Sequence, residues 1–178
     1  AHYKALSEAS PVGIIMYNIK SRTGVNMKSD LILKLASDFK NIIGVKEASL
    51  DIIQSMEIIS QKPNNFLVLS GDDQYTIPLI SCGADGVISV TANAYPKEFS
   101  SMVKYSLNGD FVKAREFYYK LFELIEAIFL DGNPAGIKAS LHVKNMISNQ
   151  LRLPLLNVSR STYMKIHDLV NKLDNQNS

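Results

Sequence analysis

The sequence predicts an α/β protein built on a parallel sheet, on three observations. Short, continuous apolar runs alternate with helical stripes from residue 1 to about residue 108, as strands buried on both faces do between crossover helices. The runs recur at roughly 20 to 30 residues with short loops between them, as in a (β/α)₈ barrel or a doubly wound sheet. No Gly-rich dinucleotide fingerprint follows any of the runs, which disfavours the doubly wound arrangement.

The elements follow in order. Tyr3 to Ser10 reads as the end of a helix, and Val12-Gly13-Ile14-Ile15-Met16-Tyr17 is the first strand. Ser29 is placed to cap a helix carrying Leu31, Leu33, Leu35 and Ala36. Ile42-Ile43-Gly44-Val45 is the second strand, and Asp51 caps a stripe at Ile52, Ile53, Met56 and Ile59. Pro63-Asn64-Asn65 is a turn before the third strand, Phe66-Leu67-Val68-Leu69. Asp73 precedes a short helix through Ile77 and Ile80 that stops at Gly83. Gly86 to Val90 is the fourth strand, and Pro96 opens a helix ending at Asn108-Gly109.

Beyond Gly109 the strand signals stop. Phe117, Leu121, Leu124, Ile125 and Ile128 mark a long helix, which Gly132-Asn133-Pro134 breaks. Ile137, Leu141, Val143 and Met146 suggest a second helix, Leu151 to Val158 a loop, and Ser161 the cap of a third through Met164, Ile166, Leu169 and Val170. Asp174 to Ser178 reads as a frayed polar tail. The predicted division is therefore 1–108, the sheet region, and 109–178, a helical appendage.

Composition narrows the class. The 178 residues are 46% apolar, enough for a sizeable core, and 19 Lys and Arg against 17 Asp and Glu leave a net charge of only +2. That balance argues against an electrostatic nucleic-acid binder. One cysteine, Cys82, forms no internal disulfide and no multi-cysteine zinc site, and no apolar run approaches the ~20 residues of a membrane helix. The expectation is a cytoplasmic, soluble protein without membrane or nucleic-acid partners. A chain that opens within a helix, at Ala1-His2-Tyr3-Lys4 and not at Met, is expected to be a piece of something longer.

Ligands of parallel α/β sheets sit at the carboxyl ends of the strands. Here those ends carry Tyr17-Asn18, Lys46-Glu47-Ala48, Ser70-Gly71-Asp72-Asp73 and Ser89-Val90-Thr91-Ala92-Asn93. Alternation places Gly13, Ile15 and Tyr17 on one face and Ile42, Gly44 and Lys46 on one face, a small Gly below each functional side chain. Lys46 follows four apolar or small residues. Burial there lowers an amine's pKa from ~10.4, and a neutral amine condenses with ketones; the plainer account is a lysine snorkelling from a strand end. Tyr17 suits a proton relay or a core aromatic with a satisfied hydroxyl. Arg22 suits a carboxylate clamp or a solvated loop charge. Gly83-Ala84-Asp85-Gly86 reads as a tight turn, Asp72-Asp73 as a weak metal signal with Asp73 a helix cap, and Cys82 as a buried hydrophobe; His2, His142 and His167 share no ligand spacing.

Taken together, Tyr17-Asn18-Ile19-Lys20-Ser21-Arg22-Thr23-Gly24, Ile43-Gly44-Val45-Lys46-Glu47-Ala48, Leu69-Ser70-Gly71-Asp72-Asp73, Gly86 to Asn93 and Gly132-Asn133-Pro134-Ala135-Gly136-Ile137-Lys138 resemble the dihydrodipicolinate synthase family, in the same order and over essentially the whole chain. The resemblance implies a (β/α)₈ TIM barrel with a C-terminal helical domain, of which this chain would carry only the second half, about strands 5–8, and the appendage. It implies an imine between Lys46 and pyruvate, proton relay by Tyr17, a hold on the carboxylate of L-aspartate 4-semialdehyde by Arg22, and a pyruvate site lined by the backbone of Ile88. The product would be the dihydrodipicolinate precursor of diaminopimelate and lysine, made with no metal or organic cofactor.

The same resemblance implies a homo-oligomer, commonly a dimer of dimers. The family commonly has proline where this chain has Lys20, so the turn after Tyr17 is expected to be less rigid. Its threonine pair for the pyruvate carboxylate, its second relay tyrosine and its feedback-lysine residues would lie in the absent half. Residues 1–178 alone are thus expected to be inactive or poorly folded, with unpaired strand edges. Two other readings stay open: a sister pyruvate-dependent aldolase, such as N-acetylneuraminate lyase or a keto-deoxy sugar-acid aldolase, and a non-catalytic assembly subunit.

Overall fold

A computed structural model of the chain describes residues 1–175. It divides into two compact units, Ala1–Ser89 and Val90–Ser178. The division predicted at 108 falls inside the second unit.

The first unit runs α1 (His2–Ala9), β1 (Ile14–Asn18), α2 (Lys20–Thr23), α3 (Ser29–Asp38), β2 (Ile42–Glu47), α4 (Ile52–Gln61), β3 (Leu67–Ser70), α5 (Thr76–Ser81) and β4 (Gly86–Val87). The strands pair in parallel, in the order β1-β2-β3-β4. Each strand lies beside the next in sequence, with a helix crossing between.

One face of this sheet is covered. Met16, Val45 and Val68 project from successive strands onto Ile32 and Leu35 of α3 and Ile58 of α4, with Ile42 and Phe66 closing the cluster. Full burial of each such side chain contributes ~1.5–3 kcal/mol. The opposite face carries Ile15, Tyr17, Leu67 and, just past β4, Ile88, which are 39%, 44%, 38% and 43% exposed. A parallel sheet normally has both faces covered.

Several local expectations are corrected. Ser29 is the first helical residue of α3, not its cap; Lys28 holds the cap position, and the Ser29 hydroxyl donates to Glu57 at 2.8 Å. The inward residues of α3 are Ile32 and Leu35, with Leu31 exposed. Asp51 does cap α4, accepting from the Gln54 N–H at 3.0 Å. Yet the buried face of α4 is Gln54, Ser55 and Ile58, while Ile53 and Met56 are exposed. In both helices adjacent apolar residues left the phase of the stripe ambiguous by about 100°. In α4 the phase goes to Gln54, whose amide has partners inside.

The predicted fourth strand is cut to two residues. The Ile88 N–H still donates to Ser70 O at 3.0 Å, but Val90 turns helical (φ −84°, ψ −50°) into a 3₁₀ turn at Thr91–Asn93.

The second unit continues with α6 (Pro96–Leu107), α7 (Phe111–Ala127), α8 (Ala135–Val143) and α9 (Arg160–Asn175). Pro96 opens α6 as predicted. Leu121, Leu124 and Ile125 of α7 and Ile166 and Val170 of α9 are buried. Near the start of α8, a Cβ on Gly136 would fall 1.9 Å from Ile128 O, so only glycine fits there. The α9 cap is Ser159, whose hydroxyl accepts from the Thr162 N–H at 3.3 Å; Ser161 lies inside the helix. Asp174 and Asn175 of the predicted frayed tail are helical, and the rest of that tail lies outside the described residues. Among the described residues no helix is long and apolar enough to cross a membrane.

Candidate active site

Two strand ends build the centre of the site. The parallel register sets Tyr17 opposite Lys46 and, one rung on, Asn18 opposite Glu47. Side chains alternate along a strand. Tyr17 and Lys46 therefore share the open face, while Asn18 and Glu47 point to the helix side, where both are buried. The Lys46 Nζ stands 4.1 Å from the Tyr17 ring centroid, a cation–π contact worth ~0.5–1 kcal/mol at an exposed site. Lys46 is half-buried.

Gly44 lies two residues before Lys46 on the same face. A Cβ there would sit 2.8 Å from Leu67 O and 3.0 Å from Leu67 Cβ, so the close approach of β2 to β3 requires glycine. The grouping of Ile42 with Gly44 and Lys46 does not hold. The register shifts between Ile14 and Ile15, whose partners are Ile42 and Gly44, and Ile42 turns into the core with Val45. Gly13 lies before β1, and a Cβ there would meet the Ile43 side chain at 2.6 Å.

The other predicted site residues also stand at carboxyl ends of strands. Arg22 is exposed on α2, the one-turn helix that leaves β1. Gly24 ends that turn at φ 71°, the left-handed region. Lys20 opens α2, at the position where a proline fits best. Ile88 leaves β4, and its N–H is committed to Ser70 O, as above. The structure brings Tyr17 and Lys46 into contact and sets Arg22 and Ile88 on the same rim.

Asp72 shapes the turn after β3: its Oδ1 accepts from the Gln74 and Tyr75 N–H groups at 2.9 and 3.3 Å. Burial raises the Asp72 pKa above its ordinary 3.8, against the lowering effect of those two hydrogen bonds. Asp73 is buried and is not the cap of α5; Tyr75 holds that position, without a side-chain capping bond. Asp85 of the Gly83–Gly86 turn is structural, pairing with Lys62 at 2.7 Å and accepting from the Val68 N–H at 2.8 Å. Cys82 is half-buried. Among the described residues no three His, Cys, Asp or Glu come together as a metal site.

The sequence reading missed the polar cluster behind the Tyr17–Lys46 rung. Asn18 Nδ2 donates to both Glu47 oxygens at 3.0 Å, Gln54 Nε2 donates to Glu47 Oε2 at 3.1 Å, and the Ser49 N–H donates to Oε1 at 2.7 Å. Asn26 donates to Gln54 Oε1 at 2.8 Å. The available signal was parity: Asn18 and Glu47 directly follow Tyr17 and Lys46, so they face the helices.

Comparison with known proteins bears on the chain as a whole. Residues 1–173 match the model of the dihydrodipicolinate synthetase family. The 4-hydroxy-tetrahydrodipicolinate synthase of Phocaeicola vulgatus is 51% identical over 172 residues, covering 97% of this chain and 58% of that protein. Dihydrodipicolinate synthase from Thermotoga maritima superposes with a TM-score of 0.94 at 38% identity, over 97% of this chain and 60% of that one. The chloride-inhibited synthase from Acinetobacter baumannii, complexed with pyruvate, superposes at 0.92 with 33% identity, over 97% and 59% of the two chains. This chain thus spans about three fifths of the length of these relatives, and it belongs to the dihydrodipicolinate synthetase family.

Proposed function

We propose that the protein to which this chain belongs condenses pyruvate with L-aspartate 4-semialdehyde through a Schiff base on Lys46, in lysine and diaminopimelate biosynthesis. The observation that carries the reading is the Tyr17–Lys46 rung, an amine 4.1 Å from a phenol ring on the open face of a parallel sheet.

The chemistry follows from those groups. The Lys46 amine adds to the pyruvate keto carbon, and loss of water leaves a protonated imine. That imine is an electron sink, so a proton can leave the pyruvate methyl group. The resulting enamine attacks the semialdehyde carbonyl carbon, and cyclisation releases the amine. Tyr17, able both to donate and to accept, carries the protons, which is worth about 10²–10⁴-fold. Arg22 holds the semialdehyde carboxylate with its planar fork. The Ile88 backbone lines the pyruvate pocket with its carbonyl, because its N–H is already bonded to Ser70 O.

The architecture proposed with it is the second half of a (β/α)₈ barrel, strands 5–8, with a C-terminal helical domain. Sequential order β1-β2-β3-β4 supports a barrel, since a doubly wound sheet reverses direction at a switch point. The apolar open face supports it too: as a barrel wall it is covered by the remaining strands, and Lys46 gains its burial from them. A homo-oligomeric, cytoplasmic enzyme is part of the same proposal.

Comparative assays of the full-length protein test the substrate. Condensation of pyruvate with aspartate semialdehyde is expected, with no cleavage of sialic acid or keto-deoxygluconate. Cleavage without condensation would make it a sister aldolase, and neither activity would make it a non-catalytic subunit.

A further inference from the structure

Glu47 is a buried acid with no cation paired to it among the described residues. It is 2% exposed, and its partners are the amides of Asn18 and Gln54 and the Ser49 N–H, all donors. A group meeting only donors suits the acceptor-only carboxylate. Taking a carboxylate out of water costs several kcal/mol, and neutral donors offset this only in part. An amide there would turn a donor toward donors, and an apolar residue would leave those buried donors unmet.

The cluster's position gives the carboxylate a use. It closes the one rung beyond Tyr17–Lys46, and it joins four segments at that point. Asn18 ends β1, Glu47 ends β2, and Gln54 lies in the first turn of α4. Asn26 reaches both Gln54 Oε1 and, as acceptor, Asn18 Nδ2 at 2.9 Å, while Asn18 Oδ1 accepts from the Met27 N–H at 3.0 Å. Backbone bonds tighten the knot: the Ala48 N–H donates to Asn18 O at 2.9 Å and the Gly71 N–H to Glu47 O at 2.7 Å. The segment that follows α2 is therefore tied, at Asn26 and Met27, to the strand that carries Lys46.

We propose that the Asn18–Glu47–Gln54–Asn26 network is a positioning device, which fixes the β1–β2 register and the segment after α2 so that the Lys46 amine and the Tyr17 hydroxyl meet the keto acid in one geometry. The inference rests on the reading of Lys46 as the imine-forming residue. Glu47 touches no reacting atom and acts through its neighbours. Because side chains alternate, a slip of one residue would exchange Lys46 for Glu47 on the open face. A displacement of about 1 Å at a reacting centre can cost ~10²-fold in rate.

The test uses the full-length protein, with pyruvate and borohydride as the probe. The rate of trapped-adduct formation at saturating pyruvate is measured between pH 6 and 9, at a temperature where circular dichroism shows each variant folded. Glu47→Gln puts an amide among donors and is expected to slow trapping by about 10²-fold. Gln54→Met, which deletes one donor and keeps the helix, is expected to slow trapping several-fold and decides the matter if Glu47→Gln does not fold. A structural role alone would lower the melting temperature and leave trapping by the folded protein at the wild-type rate. Wild-type trapping by folded Glu47→Gln, or by Gln54→Met, overturns the proposal. A wild-type protein that forms no adduct on Lys46 overturns the Schiff-base reading itself, a different result from any of these.

Discussion

Lys46 and Tyr17 face each other across one rung of the β1–β2 ladder, amine over ring at 4.1 Å. The contact places an amine and a phenol on the same uncovered face of the sheet.

Removing the Tyr17 hydroxyl separates the roles of ring and phenol. Tyr17→Phe keeps the ring beside Nζ and removes the proton carrier. In the full-length protein kcat for condensation should fall by about 10²-fold or more, with the melting temperature unchanged. A kcat at the wild-type level would remove Tyr17 from the proton path.

Gly44→Ala tests how tightly β2 and β3 meet below the lysine. The new methyl would sit 2.8 Å from a backbone oxygen that cannot swing aside. Overpacking of this kind costs ~1–3 kcal/mol, read as a lower denaturation midpoint, and imine formation should slow with it. An unchanged midpoint would mean that the two strands part freely.

Asp72 gives a pH dependence of known sign. Burial raises its folded pKa above 3.8, so the folded protein holds the proton more tightly than the unfolded chain. Its favourable contribution is present below pH 3.8 and is lost as pH rises through the raised value. Asp72→Asn keeps an acceptor for the Gln74 and Tyr75 N–H groups and removes the ionisation. The variant should melt higher than wild type at pH 7, with the gap closing below pH 3.8. A gap that widens in acid would contradict the assigned cause.

The open sheet face predicts the behaviour of residues 1–178 in isolation. Ile15, Leu67 and Ile88 should bind an apolar fluorescent dye and promote aggregation. Supplying the remaining segment of the full-length protein as a second chain should suppress both. A monodisperse, dye-silent preparation of residues 1–178 would show that this face needs no cover.

The strand order was legible because buried strands read as unbroken apolar runs: Ile14 to Met16, Ile42 to Val45 and Leu67 to Leu69 all lie where those runs placed them. Helix phase was less legible. Leu31-Ile32-Leu33 offers three adjacent apolar residues, and only packing on Met16 and Val45 selects Ile32. Parity put Tyr17 on the open face, but the irregularity at Ile14–Ile15 sends Ile42 to the core, and nothing in an apolar run announces an added residue. The Glu47 cluster escaped notice because its members are ordinary polar residues spread from 18 to 54, and only the fold gathers them.

The central claim is a covalent bond at one nitrogen. Full-length protein incubated with pyruvate, reduced with borohydride and digested should yield a single modified peptide, with the added mass on Lys46; Lys46→Ala should yield none. Modification elsewhere, or none in the wild type, would contradict the account.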